Sequence, residues 1–75
     1  MIERVKVGDT VVIDGKRYRF GETSTDAFNL YLDCVASGVE IELFPNLEID
    51  LYSVDGMNGD HFPPKKIMEA LRTQQ

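Results

Sequence analysis

The sequence holds few of the residues from which catalytic and metal sites are built. Cys34 is its single cysteine, His61 its single histidine, and tryptophan is absent. One cysteine excludes an internal disulfide and a zinc site made of cysteines. The chain also has no glycine-rich phosphate loop, serine nucleophile motif or dinucleotide fingerprint. We therefore predict a protein that is not an enzyme and that carries no cofactor or metal.

Long hydrophobic runs are missing as well. No segment has the length and apolarity of a membrane span, and the first ten residues, MIERVKVGDT, lack the apolar centre of a secretory signal. With 75 residues, 43% hydrophobic and 28% charged, the composition is typical of one small globular domain over residues 1–75. These features predict a cytoplasmic protein with no membrane partner.

Basic residues are absent from the middle of the chain. Residues 39–60 contain six acidic side chains and no lysine or arginine, and the whole chain has a net charge of -5. Non-specific nucleic-acid binding depends on basic side chains that neutralise phosphates, so this acidity argues against it and favours a basic partner. A small, acidic chain without catalytic motifs resembles the accessory proteins that phages and mobile elements encode.

Two β-rich runs surround Asp14-Gly15, which is a strong hairpin signal. A two-residue loop pairs Ile13 with Lys16, whereas a four-residue loop pairs Ile13 with Tyr18, and the sequence leaves both registers open. Either register turns the same side chains inward. The predicted inward set is Val11, Ile13, Tyr18 and Phe20, and the outward set is Thr10, Val12, Arg17 and Arg19.

A helix is predicted from the capping residues 23–26 to Ser37, with Gly38 as its C-terminal stop. Apolar residues recur at helical spacing and mark the side that faces the core. The predicted core stripe is Phe28, Tyr31, Leu32 and Val35; the polar side is Asp26, Asn29, Asp33 and Ser37; Leu30 and Cys34 flank the stripe.

The stretch VEIELFPNLEIDLYSV, residues 39–54, alternates apolar and acidic side chains and predicts a second, half-buried hairpin. Matching its apolar positions fixes the register and leaves Phe44-Pro45-Asn46 as the loop. The predicted pairs are Leu43 with Leu47, Ile41 with Ile49 and Val39 with Leu51.

The remaining segments complete the predicted order. Residues 4–7 alternate and predict a short strand, residues 55–61 predict a turn-rich loop, and Pro63-Pro64 predicts the start of a short C-terminal helix. We predict an α+β fold: a small antiparallel sheet of two hairpins, in ββαββα order, with the helices packed on one face. The alternative is a small SH3-like barrel with an appended helix, which the first hairpin alone would suit.

The predicted second hairpin places carboxylates opposite each other on its outer side, Glu42 against Glu48 and Glu40 against Asp50. Like charges directly across a ladder destabilise it by up to roughly 1 kcal/mol per pair. Three sources of compensation are open: the arginines of the first hairpin, a basic partner protein, or a metal ion. A flat sheet without a convergent loop is a poor metal cage.

Other candidate residues carry weaker signals. Phe44 places an aromatic ring at the hairpin tip, where it could anchor a partner or fold back on the core. Cys34 is interpreted as a small buried hydrophobic residue, and His61 as a loop residue. Residues 55–60 are interpreted as a polar turn, because their spacing is not that of a calcium loop.

The leading functional hypothesis is a non-enzymatic regulatory module that binds a basic protein, with nucleic-acid-binding proteins among the candidates, and modulates or inhibits it. The second hypothesis is a structural or assembly subunit that self-associates through its sheet edges, and the third is a nucleic-acid-binding domain. The predicted partner-binding residues are Glu40, Glu42, Phe44, Glu48 and Asp50.

Overall fold

The computed structural model describes residues 4–38, 46–56 and 58–74. These residues form one antiparallel sheet with strand order β1-β2-β3-β4. The predicted α+β class and ββαββα order are confirmed. Among the described strands β1 and β4 do not pair, so the sheet is open and the barrel alternative is wrong. The elements are β1 Thr10–Ile13, β2 Lys16–Arg19, α1 Glu22–Ala36, β3 Ile49–Ser53, β4 Asp60–Phe62 and α2 Pro64–Thr73.

The hairpin of β1 and β2 turns on Asp14 and Gly15. Their φ angles are 53° and 80°, so both residues are left-handed, as a tight two-residue turn requires. Ile13 pairs with Lys16, which identifies the shorter of the two loops left open by the sequence. The inward and outward sets of this hairpin are confirmed.

The helices pack on one face of the sheet, and a single apolar cluster fills the space between them. Aromatic contacts join the layers: the Phe20 ring centroid lies 5.5 Å from that of Phe28 on α1. Within the sheet, Tyr18 meets Phe62 edge-on at 5.0 Å. Each fully buried large apolar side chain stabilises the fold by about 1.5–3 kcal/mol. The cluster consists of Val5, Val11, Ile13, Tyr18, Phe20, Phe28, Tyr31, Ile49, Leu51, Phe62, Ile67 and Met68.

Helix α1 begins at Glu22, earlier than the capping residues predicted. Ser24 lies in its first turn and is buried, with its Oγ accepting a hydrogen bond from the Gly21 N–H at 2.7 Å. Thr25 donates its hydroxyl to the Gly21 carbonyl at 2.6 Å. The Ser24 side chain therefore satisfies one backbone N–H at the helix start from inside the first turn. At the other end, Gly38 takes a φ of 78°, the left-handed stop that was predicted.

Asn29 was predicted on the polar side of α1 and is instead 8% exposed. The cause is the N-terminal segment, which lies against the helix. Residues 4–7 were predicted to form a strand, and they form none. The backbone of Val5 bonds to the Asn29 side chain in place of a neighbouring strand.

Strand β3 forms inside the predicted second hairpin, with Ile49 and Leu51 buried and Asp50 outward, as the alternation required. Its described neighbours are β2 and β4. The predicted partner strand, residues 39–43, lies outside the described residues, and so does its register. Residues 60–61 were predicted to be loop and belong to β4, because Phe62 pairs with Ile49 and enters the core.

Glycine is required where the chain enters β4. A Cβ built on Gly59 would lie 2.1 Å from the carbonyl oxygen of Leu51, far inside van der Waals contact. The strand after the loop can therefore approach β3 only if residue 59 has no side chain.

Helix α2 begins with Pro64 in its first position, as predicted. Ile67 and Met68 are buried and Leu71 is half-buried, so this edge of the helix packs against the core. Neither α1 nor α2, the helices of the described ranges, has the length and apolarity to cross a membrane.

Candidate protein-binding face

The side of the sheet away from the helices carries a set of exposed side chains. Every second residue of a strand points to this side, and strand pairing aligns these residues in rows. Neither described helix covers it. We call this set the outer face. Its members are Thr10, Val12, Arg17, Arg19, Asp50, Tyr52, Val54 and His61, all of them exposed.

Tyr52 lies at the centre of the outer face and is 58% exposed. Its ring packs against Gly21, where a Cβ would come within 2.5 Å of Cε2. The Arg19 guanidinium carbon lies 6.0 Å from the ring centroid, at the outer limit of a cation–π contact. The ring therefore has Gly21 and Arg19 as neighbours although most of it faces solvent.

Two carboxylates lie at one end of the outer face. Asp50 is in β3, and Glu48 precedes the strand by one residue. The nearest described cationic candidate is His61, whose Nε2 lies 3.7 Å from Glu48 Oε2. No lysine or arginine of the described ranges has a nitrogen within 4.0 Å of either carboxylate. This end of the face is therefore acidic and open to a cation from outside.

The arginines of the first hairpin occupy the other end of the same face. Arg19 pairs across the sheet with Tyr52, and Arg17 lies opposite Val12. Compensation of Glu48 and Asp50 by these arginines is therefore not made within the described part of the chain. The lysine and arginine ion pairs that the described residues do make are Arg4 with Asp33 at 2.6 Å and Lys66 with Asp14 at 2.9 Å.

A cleft of about 290 Å³ lies beside Tyr52, between β3 and the first turn of α1. Glu48 and Asp50 contribute to its lining, together with the hydroxyl-bearing residues Thr23 and Ser24. Carboxylates bind ammonium and guanidinium groups through charge-assisted hydrogen bonds. The cleft therefore suits a basic side chain better than an acidic or apolar one.

The structure brings together two of the five predicted site residues, Glu48 and Asp50. The other three, Glu40, Glu42 and Phe44, lie outside the described residues. The predicted opposition of carboxylates across the second hairpin lies outside them too. On the described side of β3, Asp50 pairs with His61.

Sequence reasoning missed two residues of the outer face. Tyr52 has the same parity along β3 as Asp50, so the alternation placed its ring outward, yet only the acidic residues were selected. His61 gave no comparable signal, because a strand of three residues is too short for its alternation to be recognised. Both lie next to Asp50 on the face.

Elsewhere the described residues offer little further chemistry. Cys34 is half-buried on α1, and the described residues contain no group of three His, Cys, Asp or Glu side chains arranged for a metal. Burial raises the pKa of Tyr31, whose hydroxyl finds no hydrogen-bond partner among them. A hydrogen bond from Lys66 to Asp14 raises the pKa of that lysine.

Comparison of the chain with protein-family models, with curated proteins and with solved structures finds no match.

Proposed function

We propose that the protein is a non-enzymatic interaction module that binds a basic segment of another protein through the acidic end of its outer face, and so modulates or inhibits that partner. The residues proposed to carry the contact are Glu48, Asp50 and Tyr52, with Glu40, Glu42 and Phe44 as candidates on the adjoining segment. The lone cysteine and the composition favour a reducing compartment such as the cytoplasm.

One observation carries the proposal. Glu48 and Asp50 are exposed on a sheet face that neither described helix covers, and no described lysine or arginine pairs with them. Arg17 and Arg19 lie on that same face but do not reach them. Both carboxylates are therefore available to a cationic partner, whose charge complements theirs.

Tyr52 supports the proposal as an anchor. Tyrosine is enriched among the residues that contribute most to protein–protein binding, because a large ring with a polar tip gives contact area at little entropic cost. Its ring already packs on Gly21 in the free protein. A basic side chain entering the cleft beside it would meet the ring and both carboxylates.

Nucleic-acid binding is the second candidate, favoured by one observation. Arg19 lies beside the exposed ring of Tyr52 on a sheet face, which is an arrangement used for stacking bases. The carboxylate of Asp50, also on that face, would repel a phosphate backbone, and the chain as a whole carries a charge of -5. The acidic end therefore favours a basic protein.

Self-association through the sheet edges is less favoured for the intact protein. Backbone groups at both outer edges already bond to side chains: Val12 of β1 to Gln74, and the His61 N–H of β4 to the Asp60 carboxylate at 2.8 Å. The outer face, in contrast, is covered by neither described helix.

The proposal is tested with a fluorescent peptide that alternates arginine and threonine, titrated at low salt against the protein and against Asp50→Lys. We expect the substitution to weaken binding at least tenfold, since a close charge pair is replaced by repulsion. Asp26→Lys, which makes the same change of charge on the exposed side of α1, is the matched control. Equal losses in the two variants would mean that only net charge matters and would refute the proposal.

A single-stranded oligonucleotide serves as the second ligand. Under the proposal it does not bind at salt concentrations where the peptide does. Tighter binding of the oligonucleotide, lost in Arg19→Ala, would establish the second candidate instead.

A further inference from the structure

The side-chain amide of Gln74 pairs with the outer edge of β1. Its Oε1 accepts a hydrogen bond from the Val12 N–H at 3.1 Å, and its Nε2 donates to the Val12 carbonyl at 2.9 Å. The same Nε2 lies 2.7 Å from the Ala70 carbonyl, which orients the amide. A carboxamide offers the donor and the acceptor of a peptide unit. Gln74 therefore occupies the position that a neighbouring strand would take.

The geometry of the hairpin points the backbone N–H and carbonyl of Val12 away from β2, toward the outer edge. The Phe20 N–H donates to the Asp9 carbonyl at 2.9 Å, so Asp9 directs its carbonyl toward β2. Backbone groups alternate in direction along an antiparallel strand. Thr10 and Val12 therefore direct theirs away from β2, toward the outside.

Strand β1 carries no charge and no proline to protect its edge. Its sequence, Thr-Val-Val-Ile, contains no charged residue and no proline, and β-branched side chains favour strand pairing. The opposite edge is better protected. Strand β4 has only three residues, the Asp60 carboxylate accepts a hydrogen bond from the His61 N–H, and Pro63 follows the strand. Gln74 is thus the described feature that blocks pairing at β1.

The turn that holds Gln74 is lightly anchored. The buried residues of α2 are Pro64, Ile67 and Met68, all in its first half. In the second half Ala70 and Leu71 are half-buried, and the residues after them are exposed. Helix ends with few buried contacts open at low free-energy cost. Gln74 can therefore leave β1 while the core stays folded.

We propose that the Gln74 side chain blocks the outer edge of β1. When Gln74 leaves, this strand pairs antiparallel with β1 of a second copy of the chain. The two-fold axis passes at Val11, so that Thr10 and Val12 of one copy exchange hydrogen bonds with Val12 and Thr10 of the other. The absence of charge in β1 means that no like charges meet across the junction. The last turn of α2 moves away with Gln74, because it lies at the same edge.

The test compares Gln74→Ala with the unmodified protein by sedimentation velocity over a concentration series, and measures amide exchange at Val12. We expect the dimer dissociation constant to fall at least about tenfold, because two hydrogen bonds that compete with dimerisation are removed. Exchange at Val12 in dilute solution should accelerate by a similar factor. Thr73→Ala removes a hydrogen bond to Ala70 in the same turn but no hydrogen bond to β1, and should leave both readouts unchanged.

A second variant identifies the surface. Adding Val12→Pro to Gln74→Ala removes the outward N–H of β1, which β2 does not use, so the fold survives and the dimer is lost. A Gln74→Ala protein that stays as monomeric as the parent, with Val12 equally protected, would overturn the proposal. Association that persists in the double variant would overturn it as well, because another surface would then be responsible.

Discussion

The side chain of Asn29 bonds to both backbone groups of Val5. Its Oδ1 accepts from the Val5 N–H at 2.9 Å, and its Nδ2 donates to the Val5 carbonyl at 3.0 Å. Both residues are buried, at 8% exposure each. One side chain in α1 thus fixes the N-terminal segment against the core and satisfies backbone groups that would otherwise be buried without partners.

Asn29→Ala is expected to lower the free energy of unfolding by about 2–4 kcal/mol, since two hydrogen bonds are lost and the backbone groups of Val5 remain buried and unpaired. Urea denaturation measures the effect. Asn58→Ala, in the exposed loop before β4, is the control and should change the value by less than about 0.5 kcal/mol. A loss of that small size in Asn29→Ala would show that the N-terminal segment is not held as described.

Gly59→Ala is expected to destabilise the protein by roughly 2–4 kcal/mol, because the added Cβ would lie 2.1 Å from the Leu51 carbonyl and the backbone of β3 or β4 must move. Thermal and urea unfolding both measure this. Gly56→Ala is the matched control in the same loop, where the nearest atom to a Cβ is Ser53 Oγ at 3.4 Å. Equal stability of the two variants would contradict the close approach.

Tyr31→Phe is expected to leave stability unchanged at neutral pH or to raise it by about 1 kcal/mol. The phenol is buried and its hydroxyl has no hydrogen-bond partner among the described residues, so removing that hydroxyl removes a desolvation cost. A loss greater than 1 kcal/mol would mean that the hydroxyl has a partner. Chemical denaturation at pH 7 distinguishes the outcomes.

The same residue predicts a difference at high pH. Burial raises the pKa of Tyr31 in the folded state above its ordinary value of 10.0, so the folded protein holds this proton more tightly than the unfolded chain. Ionisation of Tyr31 therefore leaves the free energy of unfolding unchanged below pH 10.0 and lowers it as pH rises from 10.0 through the folded pKa. The free energy of unfolding, measured between neutral and strongly alkaline pH, should fall less steeply for Tyr31→Phe than for the unmodified protein. Parallel curves would contradict the shift.

Much of the fold follows from local patterns in the sequence. The Asp14-Gly15 turn, the inward set of the first hairpin, the core side of α1 and the start of α2 all depend on residues close together in the chain. The errors depend on contacts between distant residues. Polarity alone placed Asn29 on the solvent side, and only the approach of Val5, 24 residues away, gives its amide a buried role.

The candidate site was predicted only in part, for a related reason. The alternation of apolar and acidic residues predicted that Asp50 points outward. The site residues were then chosen mainly for their charge, so the neighbouring Tyr52 was not included. That β3 pairs with β4 could not be read from three residues with a single buried side chain. The pairing brings His61 beside Asp50 and completes the acidic end of the face.

The most direct test of the acidic end as a binding surface is an amide chemical-shift titration of the ¹⁵N-labelled protein with the arginine–threonine peptide. We predict that shifts concentrate at Glu48, Asp50, Tyr52 and His61, and that Asp26 and Asp33 on the far side of α1 stay unmoved. Saturable shifts confined to the helices, or an unchanged outer face at saturating peptide, would contradict the account.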